Sequence, residues 1–347
     1  MLAYERSDRI NIIHKATAAQ PGDCGPSNSW RMISRSSNQV PGTLSNIATF
    51  LYGPDTFGIK LVYARNDNTI LGFTYEFRND MTNVTGGTDQ KLVNLDKFGS
   101  PFLIDDLIGA PSLQAFGGWY RFAFTIYNSG DLADPLPYKL VYVHKTGELN
   151  NSCLLSGTSY YQCDVIDTAS FSMSPPSLQV YQNGNVGIAY EADGALKYAY
   201  PHDHIVLYPS NCGPGDPKTW RCITIYDTGV ISSDVKMDFG QTSGKGITYT
   251  RDDRYVMVAE YVGSDGNCGL DGLIGYQDEK WKCFLLTENP NPSYGIAVDP
   301  QGYHLVVSDD NLEELGPKNL RIWYQLGHYG LEPSKGLGIE VIDPAPH

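Results

Sequence analysis

A unit of about 60 residues recurs along the chain, and its internal order limits the architecture more than any other feature. The clearest copy is PSLQVYQNGNVGIAYEADGALKYAYPHD (176–203), followed by NCGPGDPKTWRC (211–222) and ITIYDTG (223–229). It reads as a Pro-Ser-Leu opening, an alternating apolar run, a turn, a second run, a cysteine hairpin and a closing strand. A second copy runs from PSLQAFGGWYRFAFTIYN (111–128) through YKLVYVHK (138–145) to YYQCDVID (160–167). A third runs from DVKMDFG (234–240) through KGITYTRDDRYVMVAEYV (245–262) to WKCFLLTE (281–288). Two further copies, over 44–77 and 292–326, lack cysteines. The first copy, LAYERSDRINIIHKAT with DCGPSNSWRM (23–32), begins at the second strand.

Equivalent second-strand positions are Tyr4, Tyr63, Tyr127, Tyr190, Tyr249 and Val307, spaced by about 60 residues, which is room for four strands and their turns. Six such units predict an all-β chain folded as one six-bladed β-propeller, with blades near 1–40, 41–100, 109–170, 174–229, 231–289 and 291–347. A double sandwich is the alternative, but sandwiches do not repeat four strands in fixed order. In a propeller each blade is covered on both faces, which accounts for second strands that are apolar on both sides. The tail GLGIEVIDP (336–344) either supplies the strand missing from the first blade or forms the outer strand of the last. Composition agrees: 36 Gly, 21 Pro and 24 Tyr with only 18% charged residues suit short strands and turns.

The cysteine clause predicts bridges Cys153–Cys163, Cys212–Cys222 and Cys268–Cys283, each stapling the hairpin between third and fourth strands. With separations of 10 to 15 residues, each adds roughly 2–3 kcal/mol. In the first unit Met32 stands where the second cysteine belongs, so Cys24 is expected to be unpaired. The cysteines lack CxxC pairing, which argues against zinc. Three local bridges imply an oxidising compartment, and sequons at Asn83 and Asn150 fit secretion. No signal peptide is visible, as in a secreted precursor trimmed at its start. A formal net charge of −14 disfavours nucleic acid and acidic lipid as partners, and no run is apolar enough to span a membrane.

No nucleophile elbow, HExxH, P-loop or dinucleotide motif is present. His202 and His204 share one strand face, and SDDN (308–311) and RDDR (251–254) carry paired acids. A polar strand end and solvated turns explain these more simply than metal ligands, so no metal or other cofactor is expected. The stretch GIAVDPQG (295–302) resembles six-bladed lactonases and strictosidine synthase-like proteins, which makes a metal-dependent lactonase-like hydrolase one alternative. Aromatic residues near strand starts and turns, namely Phe50, Tyr52, Trp119, Tyr120 and Tyr294, are candidate walls of a channel mouth taking a small hydrophobic or aromatic ligand. Asn46, Gln114, Gln179 and Lys236 fall at similar places in successive first strands, as a polar ring around the channel or as groups that satisfy exposed strand edges.

Taken over its full length, this Tyr-rich, disulfide-stapled repeat with CG…W hairpins resembles the fungal hetero-Diels–Alderases of tropolonic sesquiterpenoid biosynthesis. The resemblance implies a secreted, cofactor-independent pericyclase. It would join a tropolone o-quinone methide to a humulene-type alkene in a [4+2] cycloaddition. Such a reaction needs orientation, a hydrogen-bond donor on the developing oxyanion and exclusion of water. Lys236, Gln114, Gln179 and Tyr294 are the candidate donors, and Asn46, Phe50, Tyr52, Trp119 and Tyr120 the candidate substrate contacts. The rival from another class is a lectin-like binding propeller. A six-site lectin repeats its polar contacts in every blade, whereas the residues repeated here are Pro-Ser-Leu, Tyr and the Cys–Trp hairpin.

Overall fold

The computed structural model describes residues 2–6, 9–15, 30–36, 41–53, 56–65, 67–78, 84–86, 90–98, 106–128, 135–181, 183–201, 210–215, 218–226, 235–239, 245–252, 255–261, 266, 268, 281–288, 294–298, 304–310, 319–325 and 337–343, with side-chain surroundings between Leu44 and Leu285. Apart from one 3-10 turn at Leu95–Lys97, every described regular element is a β-strand. The chain divides into two compact units, Met1–Thr168 and Ala169–His347.

The first unit holds three antiparallel sheets. Sheet 1 has three strands, β1 (Leu2–Arg6), β2 (Arg9–Lys15) and β3 (Trp30–Ser36). Sheet 2 comprises β4 (Pro41–Leu44), β5 (Ala48–Gly53), β6 (Thr56–Arg65), β7 (Thr69–Arg78), β8 (Val84–Gly86) and β9 (Gln90–Asn94). Its six strands are the expected four with two of them broken: β4 and β5 both pair with β6, while β8 and β9 both pair with β7. Sheet 3 runs in order through β10 (Leu107–Phe116), β11 (Trp119–Tyr127), β12 (Tyr138–Asn150) and β13 (Ser159–Ala169).

The second unit holds three four-stranded sheets, again in sequence order. Sheet 4 is β14 (Ser177–Val180), β15 (Val186–Ala192), β16 (Ala195–Pro201) and β17 (Trp220–Tyr226). Sheet 5 is β18 (Lys236–Phe239), β19 (Lys245–Arg251), β20 (Tyr255–Tyr261) and β21 (Trp281–Glu288). Sheet 6 is β22 (Tyr294–Val298), β23 (His304–Asp310), β24 (Asn319–Gln325) and β25 (Leu337–Asp343). The tail strand β25 pairs with β24, so it completes the last sheet as its outer strand.

The repeat survives at the level of single positions. Tyr63, Tyr190 and Tyr249 each stand two residues before the end of a second strand, and each is almost fully buried. In sheet 3 that place belongs to buried Thr125, while Tyr127 ends β11 and packs on Tyr138 at 4.8 Å. The turns that follow three of the second strands use Asn68, Asp193 and Asp252 at positive φ (58°, 51° and 54°). Short Asn and Asp side chains tolerate this left-handed backbone, where β-branched residues would clash. Strand β15 is buried at all seven positions, which requires cover on both of its faces.

First strands are edge strands, with one row of backbone groups left over after pairing. In β10 and β18, side chains of the preceding sheet bind one residue of that row. The Asn46 amide, in the break between β4 and β5, binds both backbone groups of Leu113: Nδ2 donates to its carbonyl and Oδ1 accepts from its N–H, each at 2.8 Å. In the second unit Ser177 and Gln179 divide the same task. The Met237 N–H donates to Ser177 Oγ at 2.9 Å, and Gln179 Nε2 donates to the Met237 carbonyl at 3.0 Å.

All three expected disulfides are present, Cys153–Cys163, Cys212–Cys222 and Cys268–Cys283. Each bridges the approach to a fourth strand and that strand itself. Two residues before the second cysteine lies a large buried ring, Tyr161, Trp220 or Trp281. The residue before the first cysteine adds a tether: Cys222 N–H donates to Asn211 Oδ1 at 2.7 Å, and Cys163 N–H donates to Ser152 Oγ at 2.9 Å. A Cβ on Gly213 would fall 2.6 Å from the Trp220 ring, so the glycine of the CG pair makes room for the tryptophan. Cys24 lies outside the described residues.

Candidate functional site

Strand β6 reads TFGIKLVYAR, and its alternation divides two faces. Ile59, Leu61 and Tyr63 join one apolar cluster with Leu71 and Phe73. Val62 and Ala64 face the larger cluster shared with sheet 3. Lys60 points the same way as Val62 and is only 6% exposed.

Two glycines hollow out this face. Gly58 pairs directly with Phe50, and a Cβ there would fall 2.1 Å from the Phe50 ring. Gly72 pairs with Val62, and a Cβ there would fall 2.8 Å from the Tyr120 ring, which belongs to β11 of sheet 3. The two rings therefore settle where the sheet has no side chains, on either side of Lys60. Its Nζ lies 4.1 Å from the Tyr120 ring centroid and 4.8 Å from that of Phe50, close enough for cation–π attraction to both.

Among the described residues Lys60 makes one hydrogen bond: Nζ donates to Thr74 Oγ1, its cross-strand partner, at 2.8 Å. Thr74 Oγ1 lies in turn 2.7 Å from the Tyr120 hydroxyl. Glu76, paired with Gly58, supplies a nearby negative charge. Burial dominates the balance and lowers the Lys60 pKa from 10.5 to about 8, against the opposing attraction of Glu76. Near neutral pH this amine is a strong hydrogen-bond donor that gives up its proton far more easily than a surface lysine.

The sequence-predicted aromatics Phe50 and Tyr120 thus converge on one lysine that the sequence reading missed. The signal was present, as a single cation in the apolar stretch GIKLVYA beside a glycine. Trp119 is 47% exposed, with Lys145 Nζ 2.9 Å from its ring centroid and 5.7 Å from that of Tyr160. Lys145 and Lys245, the latter over Tyr198 and Tyr261, are only half-buried, unlike Lys60.

The predicted donors lie elsewhere. Gln114 and Gln179 each follow the buried leucine of a first strand, and Lys236 precedes the buried Met237 of the next; all three are half-buried. Tyr52 and Tyr294 lie in β5 and β22, with side chains outside the described set. His202 and His204 are outside the described residues, as are the side chains of SDDN. Of RDDR, Asp252 is exposed and paired with Arg251 Nε at 3.5 Å. Among the described residues no three His, Cys, Asp or Glu side chains gather as a metal site, and no helix is long and apolar enough to cross a membrane. Another buried charged side chain is Glu191 in β15, 3% exposed, whose Oε1 accepts from Ser172 Oγ at 2.6 Å and Gly194 N–H at 2.7 Å.

No protein-family model matches the chain, and none of the curated proteins matches it either.

Proposed function

We propose that the chain is a six-bladed β-propeller, secreted, whose Lys60 site performs an intermolecular hetero-Diels–Alder cycloaddition of a tropolone o-quinone methide with a humulene-type alkene. Two lines support the architecture: sheets that follow one another in sequence order, and first strands tied to those of the next sheet. The three disulfides fit the oxidising compartment that secretion implies.

The observation that carries the activity is the Lys60 ammonium between the faces of Phe50 and Tyr120. As the alkene adds across the quinone methide, a C–C and a C–O bond form, and negative charge gathers on the heterodiene oxygen. An ammonium in an apolar setting stabilises that charge better than water does, because it is already oriented. Planar ring faces hold a flat diene in register, and orientation of two partners can lower a barrier by several kcal/mol. No proton transfer, metal or cofactor is needed for this step.

The test generates the quinone methide in situ with a humulene-type alkene and follows dihydropyran formation and its enantiomeric excess. Wild-type protein should give excess of one enantiomer, and Lys60→Met should lose about 100-fold in rate. A racemic product formed at the protein-free rate by wild type would reject the reading.

The exposed pair Trp119 and Tyr160 favours a second reading, a carbohydrate-binding propeller, since half-exposed rings are platforms for sugar faces. Trp119→Ala would then abolish sugar binding in calorimetry and leave cycloaddition unchanged.

A further inference from the structure

We infer that Lys60 is an imine-forming amine for planar aromatic aldehydes, a covalent capture site distinct from the cycloaddition. The inference stands on the geometry of the Lys60 site and does not require the pericyclase reading.

Four features combine. First, Lys60 Nζ has one hydrogen-bond acceptor among its described neighbours, Thr74 Oγ1, and its other contacts are ring faces. Rings bind an ammonium weakly and an amine lone pair not at all, so a neutral Lys60 has a lone pair ready to attack. Second, burial favours that neutral form at pH values where surface lysines stay protonated. Third, the Tyr120 hydroxyl, Thr74 Oγ1 and Nζ form a continuous chain, which sets two hydroxyls beside the nitrogen to pass a proton to or from it. Fourth, the walls are aromatic on two sides, which selects a flat partner.

The step balances as follows. The neutral amine attacks the carbonyl carbon, forming a C–N bond as the C=O π electrons move to oxygen. One N–H proton passes to that oxygen, giving a carbinolamine. A proton relayed through the Thr74 and Tyr120 hydroxyls lets the oxygen leave as water while the nitrogen lone pair closes the C=N bond, and the remaining N–H proton of the iminium returns to the relay to leave the neutral imine. The sum is amine plus aldehyde giving imine plus water, with no oxidant or reductant.

Phe50 controls entry. Its half-buried ring, on β5, lies over Gly58 with its centroid 4.8 Å from the amine. Leu51 beside it is 85% exposed, so this stretch borders solvent. Trimming the ring should speed capture, whereas a lysine that served only as packing would gain nothing specific from the change.

The experiment treats the intact, disulfide-bonded protein with salicylaldehyde at pH 7.5, reduces with cyanoborohydride, and maps the adducts by peptide mass spectrometry. Lys60 should be labelled about 10-fold or more faster than the other lysines. Phe50→Ala should raise that rate further, and Lys60→Arg should remove this adduct alone. Labelling of Lys60 no faster than surface lysines in both wild type and Phe50→Ala would overturn the inference. Loss of cycloaddition in Lys60→Met without any aldehyde labelling of wild type would reject capture while leaving the cycloaddition reading intact. Labelling with no cycloaddition would do the reverse.

Discussion

Lys60 in sheet 2 and Glu191 in sheet 4 are both buried ions in second strands, and their surroundings are built to opposite ends. Glu191 is bracketed by donors: the Ser172 hydroxyl and the Gly194 N–H meet its carboxyl, and its own N–H donates to Ser174 Oγ at 2.9 Å. The neighbouring turn is fixed in turn by Asp193, whose carboxylate accepts from the Phe171 N–H at 2.7 Å. Among the described residues Lys60 has a single hydrogen-bond acceptor and two rings, with the charge of Glu76 nearby. A charge held like Glu191 organises the fold, because removing it leaves several donors without partners. A charge held like Lys60 adds little to stability and keeps its chemistry available. Burial alone is therefore a poor guide to function, and the number of unmet hydrogen-bonding directions is a better one.

The contrast is sharpest in a pair of substitutions. Lys60→Met, which matches volume and removes the charge, should lose about 100-fold in cycloaddition rate while leaving the protein no less stable near neutral pH, because the penalty on the buried charge goes with it. Glu191→Ala should leave the rate intact and cost about 2–3 kcal/mol in urea denaturation. If Lys60→Met unfolded the protein and Glu191→Ala did not, the comparison would be inverted.

Acidity provides the next test, and the two groups should move stability in opposite directions. The Lys60 pKa falls from 10.5 to about 8 on folding, so the ionised form is penalised in the native state. That penalty, of order 3 kcal/mol, is full below pH 8 and disappears as pH rises toward 10.5. Wild type should therefore gain on Lys60→Met over this window in denaturation midpoints. Burial raises the Glu191 carboxyl above its usual 4.5. Its contribution should fall as pH climbs through the range just above that value, and Glu191→Gln should flatten the fall.

Smaller effects separate the two strand ties. Asn46→Ala leaves both backbone groups of Leu113 without partners and should cost about 2 kcal/mol. Gln179→Ala frees one carbonyl while Ser177 still holds the Met237 N–H, and should cost about 1 kcal/mol. Equal losses at the two positions would show that the Asn46 bracket is no stronger than a single bond.

Much of this molecule is written plainly in its sequence. Strand order, sheet count and all three disulfides follow from the repeat, because the turn residues and the cysteine clause that set them are local to each unit, although each unit needs its neighbours to bury its faces. The broken strands of sheet 2 were not visible, since Asn46 leaves the ladder to serve sheet 3, and that partner, Leu113, lies 67 residues away. Asn46 and Gln179 read equally well as ring or as edge residues, and only distances place their amides on neighbouring backbone. At the site, Phe50 and Tyr120 were recognisable as aromatics near turns. Their meeting point was not, because it depends on the absence of side chains at Gly58 and Gly72 and on a lysine that resembles an ordinary strand residue.

Lys60 is a buried amine with one hydrogen-bond acceptor among the described residues. The most direct measurement is an NMR titration of protein labelled with 13C at lysine Cε, with the Lys60 signal assigned from its loss in Lys60→Arg. A midpoint near the expected value of about 8, well below the other lysines, is the predicted result. A midpoint of about 10 or higher, indistinguishable from surface lysines, would contradict the account.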